Sequence, residues 1–180
     1  MTHKSNLSGI IQKDLLPHGN HYVSEDISNQ EVNSRRSKSE PINHRPIHSY
    51  VPFYFNPRNA MLYVRKAIQD NIVILEFDRN LMFKNGALFT DGNAASSGTK
   101  FYNNPKKLDT LNWNCINAKY WTDFHDGKRT HMAEVLVPNQ VSADDIKRII
   151  VHDSILHQEL TRALFGSIPC DLDKTNKFYF

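Results

Sequence analysis

Met132-Ala133-Glu134-Val135-Leu136-Val137, closed by Pro138, reads as one strand. Period-two alternation sends Ala133, Val135 and Val137 to one face and Met132, Glu134 and Leu136 to the other. Both faces are apolar but for Glu134. A strand that is apolar on both sides belongs in an interior, where a lone carboxylate is costly unless it is paired or used. The same pattern also fits an edge strand that turns Glu134 to water, and alternation by itself does not choose between the two.

Working outward, Ile72–Phe77 is a near-continuous apolar run rich in β-branched residues and predicts a central strand. Val51–Phe55 predicts another, with Pro52 placing it at an edge. Ile146–His152 and the terminal Phe178-Tyr179-Phe180 complete the strand set. Helical spacing of Leu7, Ile10, Ile11 and Leu15 predicts a first helix, capped by Ser5 and closed by Pro17. Further helices are expected over Arg58–Ala67, with Met61, Leu62 and Val64 turned to the core, over Asp109–Trp121, and over Ile155–Leu164. His18–Ser49 is polar and reads as a long loop, with at most a short helix near Asn29–Lys38. Asp91–Gly98 has loop chemistry as well. Strands do not alternate regularly with helices, so the fold class is α+β, in a single domain over residues 1–180.

The bulk properties suit a folded protein of 180 residues with 39% hydrophobic and 23% charged residues. There is no apolar run of membrane-spanning length, and the opening residues do not form a signal peptide. Two unpaired cysteines, Cys115 and Cys170, make a disulfide scaffold or zinc ribbon unexpected and a reducing cytoplasm the default. Nine Lys and Arg stand against five Asp and Glu in residues 1–66, a bias that suits a polyanionic ligand as well as a solvated surface. Within that segment Arg35-Arg36 could bind phosphate by bidentate hydrogen bonds, or simply form an exposed basic turn. Phe53-Tyr54-Phe55-Asn56-Pro57-Arg58 joins aromatics to a cation, as single-stranded nucleic acid binders do, although aromatic strands more often serve a core. His18-x-x-His21 and His44-x-x-x-His48 lack the further ligands a metal site needs, so no metal is expected. Neither the Gly-rich dinucleotide fingerprint nor a phosphate loop is present.

Longer strings carry more. His48-Ser49-Tyr50-Val51-Pro52-Phe53-Tyr54-Phe55-Asn56-Pro57-Arg58, followed by Met61-Leu62-Tyr63, strongly resembles the most recognisable block of the DarT family of DNA ADP-ribosyltransferase toxins. Matches continue with Thr2-His3, Asn6-Leu7, Arg35-Arg36, Phe89-Thr90-Asp91-Gly92-Asn93-Ala94, Phe101, Ala118-x-Tyr120-Trp121, Ala133–Val137 and Lys177-x-Tyr179-Phe180. The resemblance implies an ADP-ribosyltransferase fold, two small facing β-sheets around a cleft for NAD. It implies transfer of ADP-ribose from NAD, as co-substrate, to thymidine in single-stranded DNA, by a bacterial toxin that is paired with a DarG-like macrodomain antitoxin. By the same likeness Glu134 is the catalytic carboxylate and Arg36 the catalytic arginine, with His3, Asn6, Arg36, Tyr54 and Tyr63 as NAD contacts. Arg58, Asn93, Ser96 and Ser97 would meet the DNA, the last three in a loop from Thr90 to Phe101. The family's first strand carries a Tyr-His pair just before the Thr-His. This chain opens at Met1-Thr2-His3, so either the first strand is shortened, with a poorer seat for NAD, or the start is assigned too late.

Two other functions fit the same residues. A single-stranded nucleic acid binder on a degenerate transferase scaffold would bind oligonucleotides in a salt-dependent way without consuming NAD. An enzyme of the same class could instead modify RNA.

Overall fold

The computed structural model describes residues 1–180. Eight strands form two four-stranded sheets. The first contains β1 (Thr2–His3), β3 (Ile72–Phe77), β7 (Ile146–Val151) and β8 (Cys170–Leu172), side by side in that order. The second runs β2 (Tyr50–Tyr54), β6 (Glu134–Pro138), β4 (Leu88–Thr90), β5 (Phe101–Tyr102). All neighbours are antiparallel except β7 and β8. Six helices connect and cover them: α1 (Leu7–Lys13), α2 (Gln30–Arg35), α3 (Ala60–Val64), α4 (Trp113–Ile116), α5 (Gly127–Thr130) and α6 (Ser154–Ala163). The class is α+β, and none of the helices is long and apolar enough to cross a membrane.

The continuous apolar run of β3 follows from burial on both faces. Val73 packs with Leu7, Ile149, Val151 and Leu156 under α1 and α6. Ile72 and Ile74 pack with Leu62, Ile150 and Tyr179 on the opposite side. In the second sheet Val51, Phe89, Ala133, Val135 and Val137 share a third cluster. The sheets meet where Phe53 sits edge-on to Phe77, with ring centroids 5.0 Å apart. As Pro52 requires, β2 is an edge strand.

The polar segment 18–49 is tied down by side chains rather than by a hydrophobic stripe. Asn29 caps α2 by accepting the Val32 N–H. The carboxylate of Glu40, 1% exposed, accepts the N–H groups of Ile42, Asn43 and Arg45 and the hydroxyl of Tyr50. Arg65, just past α3, donates to the carbonyls of Ile27 and Ser28.

Several expected elements differ. Helix α1 ends at Lys13, where Asp14 takes a left-handed φ of 70°, and Leu15 instead bridges to Val141. Asn6, not Ser5, is its N-cap residue. Val64 is 63% exposed, because α3 is a single short helix that buries only Ala60 and Leu62. Within Asp109–Trp121 only α4 is α-helical: Asn112 starts it by accepting the Cys115 N–H, and it stops after one turn. Phe178–Phe180 is not a strand. Asp173 accepts the N–H groups of Lys177, Phe178 and Tyr179, which curls the tail back on itself.

That tail carries Tyr179, fully buried with its hydroxyl 2.8 Å from the carbonyl oxygens of both Ile72 and Ile150. Tyr179→Phe keeps the ring and loses the bond. It should lower the unfolding free energy by about 1 kcal/mol, read as a fall of roughly 2–4 °C in melting temperature.

Candidate active site

Glu134 opens β6 and has no exposed surface. Its carboxylate meets the buried Arg36 in a two-pronged ion pair, with Nη1 to Oε1 at 3.1 Å and Nη2 to Oε2 at 2.9 Å. A third donor, the backbone N–H of Ala94, reaches Oε1 at 2.8 Å. The planar fork of an arginine matches a carboxylate as a lysine cannot. Ninety-eight residues separate the partners, and Arg36 reaches Glu134 because α2 ends at Arg35 and turns the next side chain inward. Arg35 itself stays on the surface beside Glu31. Burial alone would pull the Arg36 guanidinium below its ordinary value, but the charge and hydrogen bonds of Glu134, with Tyr54 beside them, together outweigh burial and hold it higher. The guanidinium therefore stays charged at this depth.

Tyr54 lies directly across the ladder from Glu134, so the two side chains are neighbours on one face. Burial, reinforced by the Glu134 charge, pushes its phenol well above the usual tyrosine range, with Arg36 acting the other way. Tyr54 is thus a neutral hydroxyl, fit to donate or accept a hydrogen bond but not to act as a base. Thr90 fixes the backbone here. Its hydroxyl accepts the Glu134 N–H at 3.1 Å and donates to the Gly92 carbonyl at 2.6 Å.

A cleft of about 670 Å³ opens in front of this pair. Its walls carry Arg35, Arg36, Arg65, Lys128 and Arg129, with His18 and His48 stacked 4.4 Å apart and the amides of Asn29, Asn33 and Asn93 among them. Five cationic side chains against the carboxylates of Glu25, Asp26 and Asp126, with Tyr54, Met61 and Val64 also in the lining, suit a ligand with both phosphates and flat rings. A dinucleotide such as NAD has that make-up, and the donor set fits it. No group of three His, Cys, Asp or Glu side chains is placed to hold a metal ion.

The structure brings Arg36, Tyr54, Asn93, Ser96 and Asn6 to this cleft. Asn6 lines it with its amide fully committed: it donates to Thr2 Oγ1 and the Glu25 carbonyl, and accepts the N–H groups of Ser24 and Glu25. His3 lies outside the lining, its Nδ1 2.8 Å from the Ser5 hydroxyl. Tyr63 stands in an aromatic cluster with Trp121 and Phe180. Arg58 belongs to the same cluster: it donates to the Tyr179 and Lys119 carbonyls and lies 4.2 Å over the Phe180 ring. Ser97 is exposed at the loop tip. Sequence reasoning missed Asp91, Asp126 and Arg129, which are joined beside the cleft. The adjacency of Lys128-Arg129 and the Asp91-Gly92 turn was the available signal.

Known proteins share this fold. The family model described as "ssDNA thymidine ADP-ribosyltransferase, DarT" matches residues 1–180. The chain is 31% identical, over its whole length, to a DNA ADP-ribosyl transferase–DNA ADP-ribosyl glycohydrolase fusion protein of Thermosipho africanus, of which it spans 48%. Its fold superposes on Thermus sp. 2.9 DarT in complex with ADP-ribosylated ssDNA with a TM-score of 0.88 at 26% identity, covering 99% of this chain and 93% of that one. For the NAD+ complex of the same protein the TM-score is 0.85 at 27% identity, covering 99% and 94%.

Two outcomes follow from the site's electrostatics. Arg36→Ala leaves a buried carboxylate without its counter-charge and should cost about 3–5 kcal/mol of stability. Urea unfolding should show that loss partly recovered in the Arg36→Ala/Glu134→Ala double variant. His131, three residues before Glu134, has no exposed surface. Its Nε2 donates to the Ala118 carbonyl, and its Nδ1 has no partner. Burial, aided by the Arg58 charge, holds this imidazole below its ordinary value of 6.5. A depressed folded value means that the unfolded chain binds the proton more readily, so the stabilisation is complete above about pH 6.5 and is lost as pH falls towards the folded value. Denaturation at pH 7, 6 and 5 should show declining stability, and His131→Gln should flatten part of that decline.

Proposed function

The chain belongs to the DarT family of single-stranded-DNA thymidine ADP-ribosyltransferases, and we propose that it transfers ADP-ribose from NAD to thymidine in single-stranded DNA through Glu134 and Arg36. The observation that carries this reading is the fully buried Glu134 held by Arg36 and Ala94 at the back of a cationic cleft. NAD supplies the ADP-ribosyl group, with nicotinamide leaving on the electron pair of its bond to ribose. As that bond weakens, positive charge develops on the sugar, and a carboxylate within reach stabilises it. The thymine ring nitrogen becomes a competent nucleophile only as it gives up its proton, which Glu134 accepts. The new bond joins the ribose to that nitrogen, and the proton passes from Glu134 to solvent.

In the closed pair Arg36 covers both carboxylate oxygens. Release of one of them by Arg36 would bare a carboxylate oxygen for the proton and leave the guanidinium free to face the negative charge that gathers on the base. Tyr54, neutral and adjacent, can donate to a ribose or base oxygen without competing for the proton. The family likeness assigns His3, Asn6 and Tyr63 to NAD binding and Arg58, Asn93, Ser96 and Ser97 to DNA contact; of these, Asn6, Asn93 and Ser96 line the cleft, and the others would act from beyond its lining. For Asn6 that role runs through the 24–25 backbone it holds beside the cleft.

The fusion of a transferase to a DNA ADP-ribosyl glycohydrolase in the Thermosipho protein supports a DarG-like macrodomain antitoxin as partner, and hence a toxin acting in the bacterial cytoplasm as one DarT-type domain over residues 1–180. Incubated with NAD and a panel of oligonucleotides, the protein should add one ADP-ribose by mass to thymidine-containing single-stranded DNA. Glu134→Ala should abolish the product. Modification of RNA alone, or salt-dependent oligonucleotide binding with no NAD consumed, would replace this reading with one of its alternatives.

A further inference from the structure

Arg129 takes no part in the transfer chemistry, yet it is the most heavily bonded cation beside the cleft. Its Nη1 donates to Asp91 Oδ1 at 2.8 Å and to the Thr99 hydroxyl at 3.3 Å, and its Nε donates to Asp126 Oδ2 at 2.5 Å. Its own carbonyl accepts the Asn93 N–H at 3.0 Å. Three of these partners, Asp91, Asn93 and Thr99, lie in the segment that joins β4 to β5. The same segment is closed at its base, where the Lys100 N–H donates to Asp91 Oδ1 and the Asp91 N–H to the Lys100 carbonyl.

The guanidinium also lies flat against the segment's backbone. A Cβ at Gly92 would stand 2.3 Å from Arg129 Nη1 and 2.9 Å from its Cγ. A side chain at this position would push Arg129 off the segment, so glycine lets the arginine approach this closely. Two residues on, Ala94 delivers its N–H to Glu134 Oε1 at 2.8 Å, and the Gly92 carbonyl anchors the Thr90 hydroxyl that holds the Glu134 backbone. The Ala94 bond is the one contact to the Glu134 carboxylate that does not come from Arg36.

We propose that Arg129 is a positioning residue for the transfer reaction: it clamps the Asp91–Lys100 segment against the start of β6 so that the Ala94 N–H holds the Glu134 carboxylate in its reactive orientation. This rests on the transferase reading above. A group that acts through orientation of the catalytic carboxylate changes the chemical step and leaves substrate affinity alone. The alternative role for an arginine on a cleft wall is direct contact with a DNA phosphate, which would show in the oligonucleotide KM and in its salt dependence.

The test compares Arg129→Gln and Arg129→Lys with the unaltered protein, using NAD and a thymidine-containing oligonucleotide, alongside hydrogen exchange at the Ala94 amide. Arg129→Gln should lower kcat about 10- to 100-fold with KM for either substrate changed less than about twofold, and the Ala94 amide should exchange faster. Arg129→Lys should recover part of kcat, since an ammonium can still reach Asp91 but cannot serve Asp126 and Thr99 at once. An unchanged kcat, or a raised oligonucleotide KM at full kcat, overturns the proposal. Should Arg129→Gln not fold, Asp91→Asn takes the charge from one loop-side anchor, leaves Thr99 and an oxygen acceptor for the Lys100 N–H in place, and is read by the same two measurements. If the unaltered protein transfers no ADP-ribose while Ala94 still loses protection in the variant, the transferase reading fails and the clamp on Ala94 stands. If Ala94 protection is unchanged, the clamp itself is refuted.

Discussion

A carboxylate with no exposed surface at the start of an interior strand is the constraint on which the rest of the molecule depends. Ionised and isolated there, Glu134 would be unsustainable. It persists because three donors converge on it from two distant segments, Arg36 from the polar stretch before β2 and Ala94 from the β4–β5 connection. Each donor requires its own segment to be ordered. The network around Glu40 fixes the chain between Arg36 and β2, and Arg129 fixes the connection that bears Ala94. Removing water from the pair strengthens it electrostatically and makes any error in its geometry expensive. A site built this way is preorganised by structure that touches no substrate.

What was legible in the sequence follows from what kind of force orders each part. The strands β3 and β6 declared themselves because burial on two faces demands an apolar residue at nearly every position, and the exception at Glu134 stood out for the same reason. Helix α6 was legible through Leu156, Leu160 and Leu164, which pack together with Ile149 and Val151. The segment 18–49 was not, since its order comes from single polar side chains, Asn29 and Glu40 among them, that leave no period. The terminal aromatics misled for a related reason. Tyr179 is buried as a strand residue would be, but three N–H groups bonded to Asp173 decide its backbone path.

The site divides along the same line. Period-two alternation puts Tyr54 opposite in face to Phe53 and Phe55, and Glu134 opposite in face to Ala133 and Val135, and the ladder sets the two across from one another, but alternation did not decide whether Glu134 is buried. Arg36 could not be chosen over Arg35 by spacing, because the choice depends on which side chain α2 directs inward at its end; only the family resemblance singled it out. Arg58 and Tyr63, drawn into the expected site by the same block, pack with Phe180 and Trp121 beyond the cleft lining. Membership of a recognisable motif therefore marks two jobs here. Part of the block lines the cleft, and part fastens the C-terminal residues to α3.

The closed Arg36–Glu134 pair also bears on how such a site can work. A carboxylate bonded by one guanidinium on both oxygens is held in a single orientation, so the resting arrangement shields Glu134 from water and holds its reactivity in check. Releasing one oxygen has an electrostatic cost that solvent offsets little at this depth, because Glu134 has no exposed surface and Arg36 is 8% exposed. Only a ligand that brings its own negative charge or hydrogen-bonding groups to Arg36 can offset it. A cleft walled by arginines, lysine and stacked histidines favours the entry of such an anionic ligand and disfavours that of a neutral one. The same charges that recruit the substrate are then the ones that free the carboxylate to act on it, which ties activation of Glu134 to occupancy of the cleft without any movement of the two sheets.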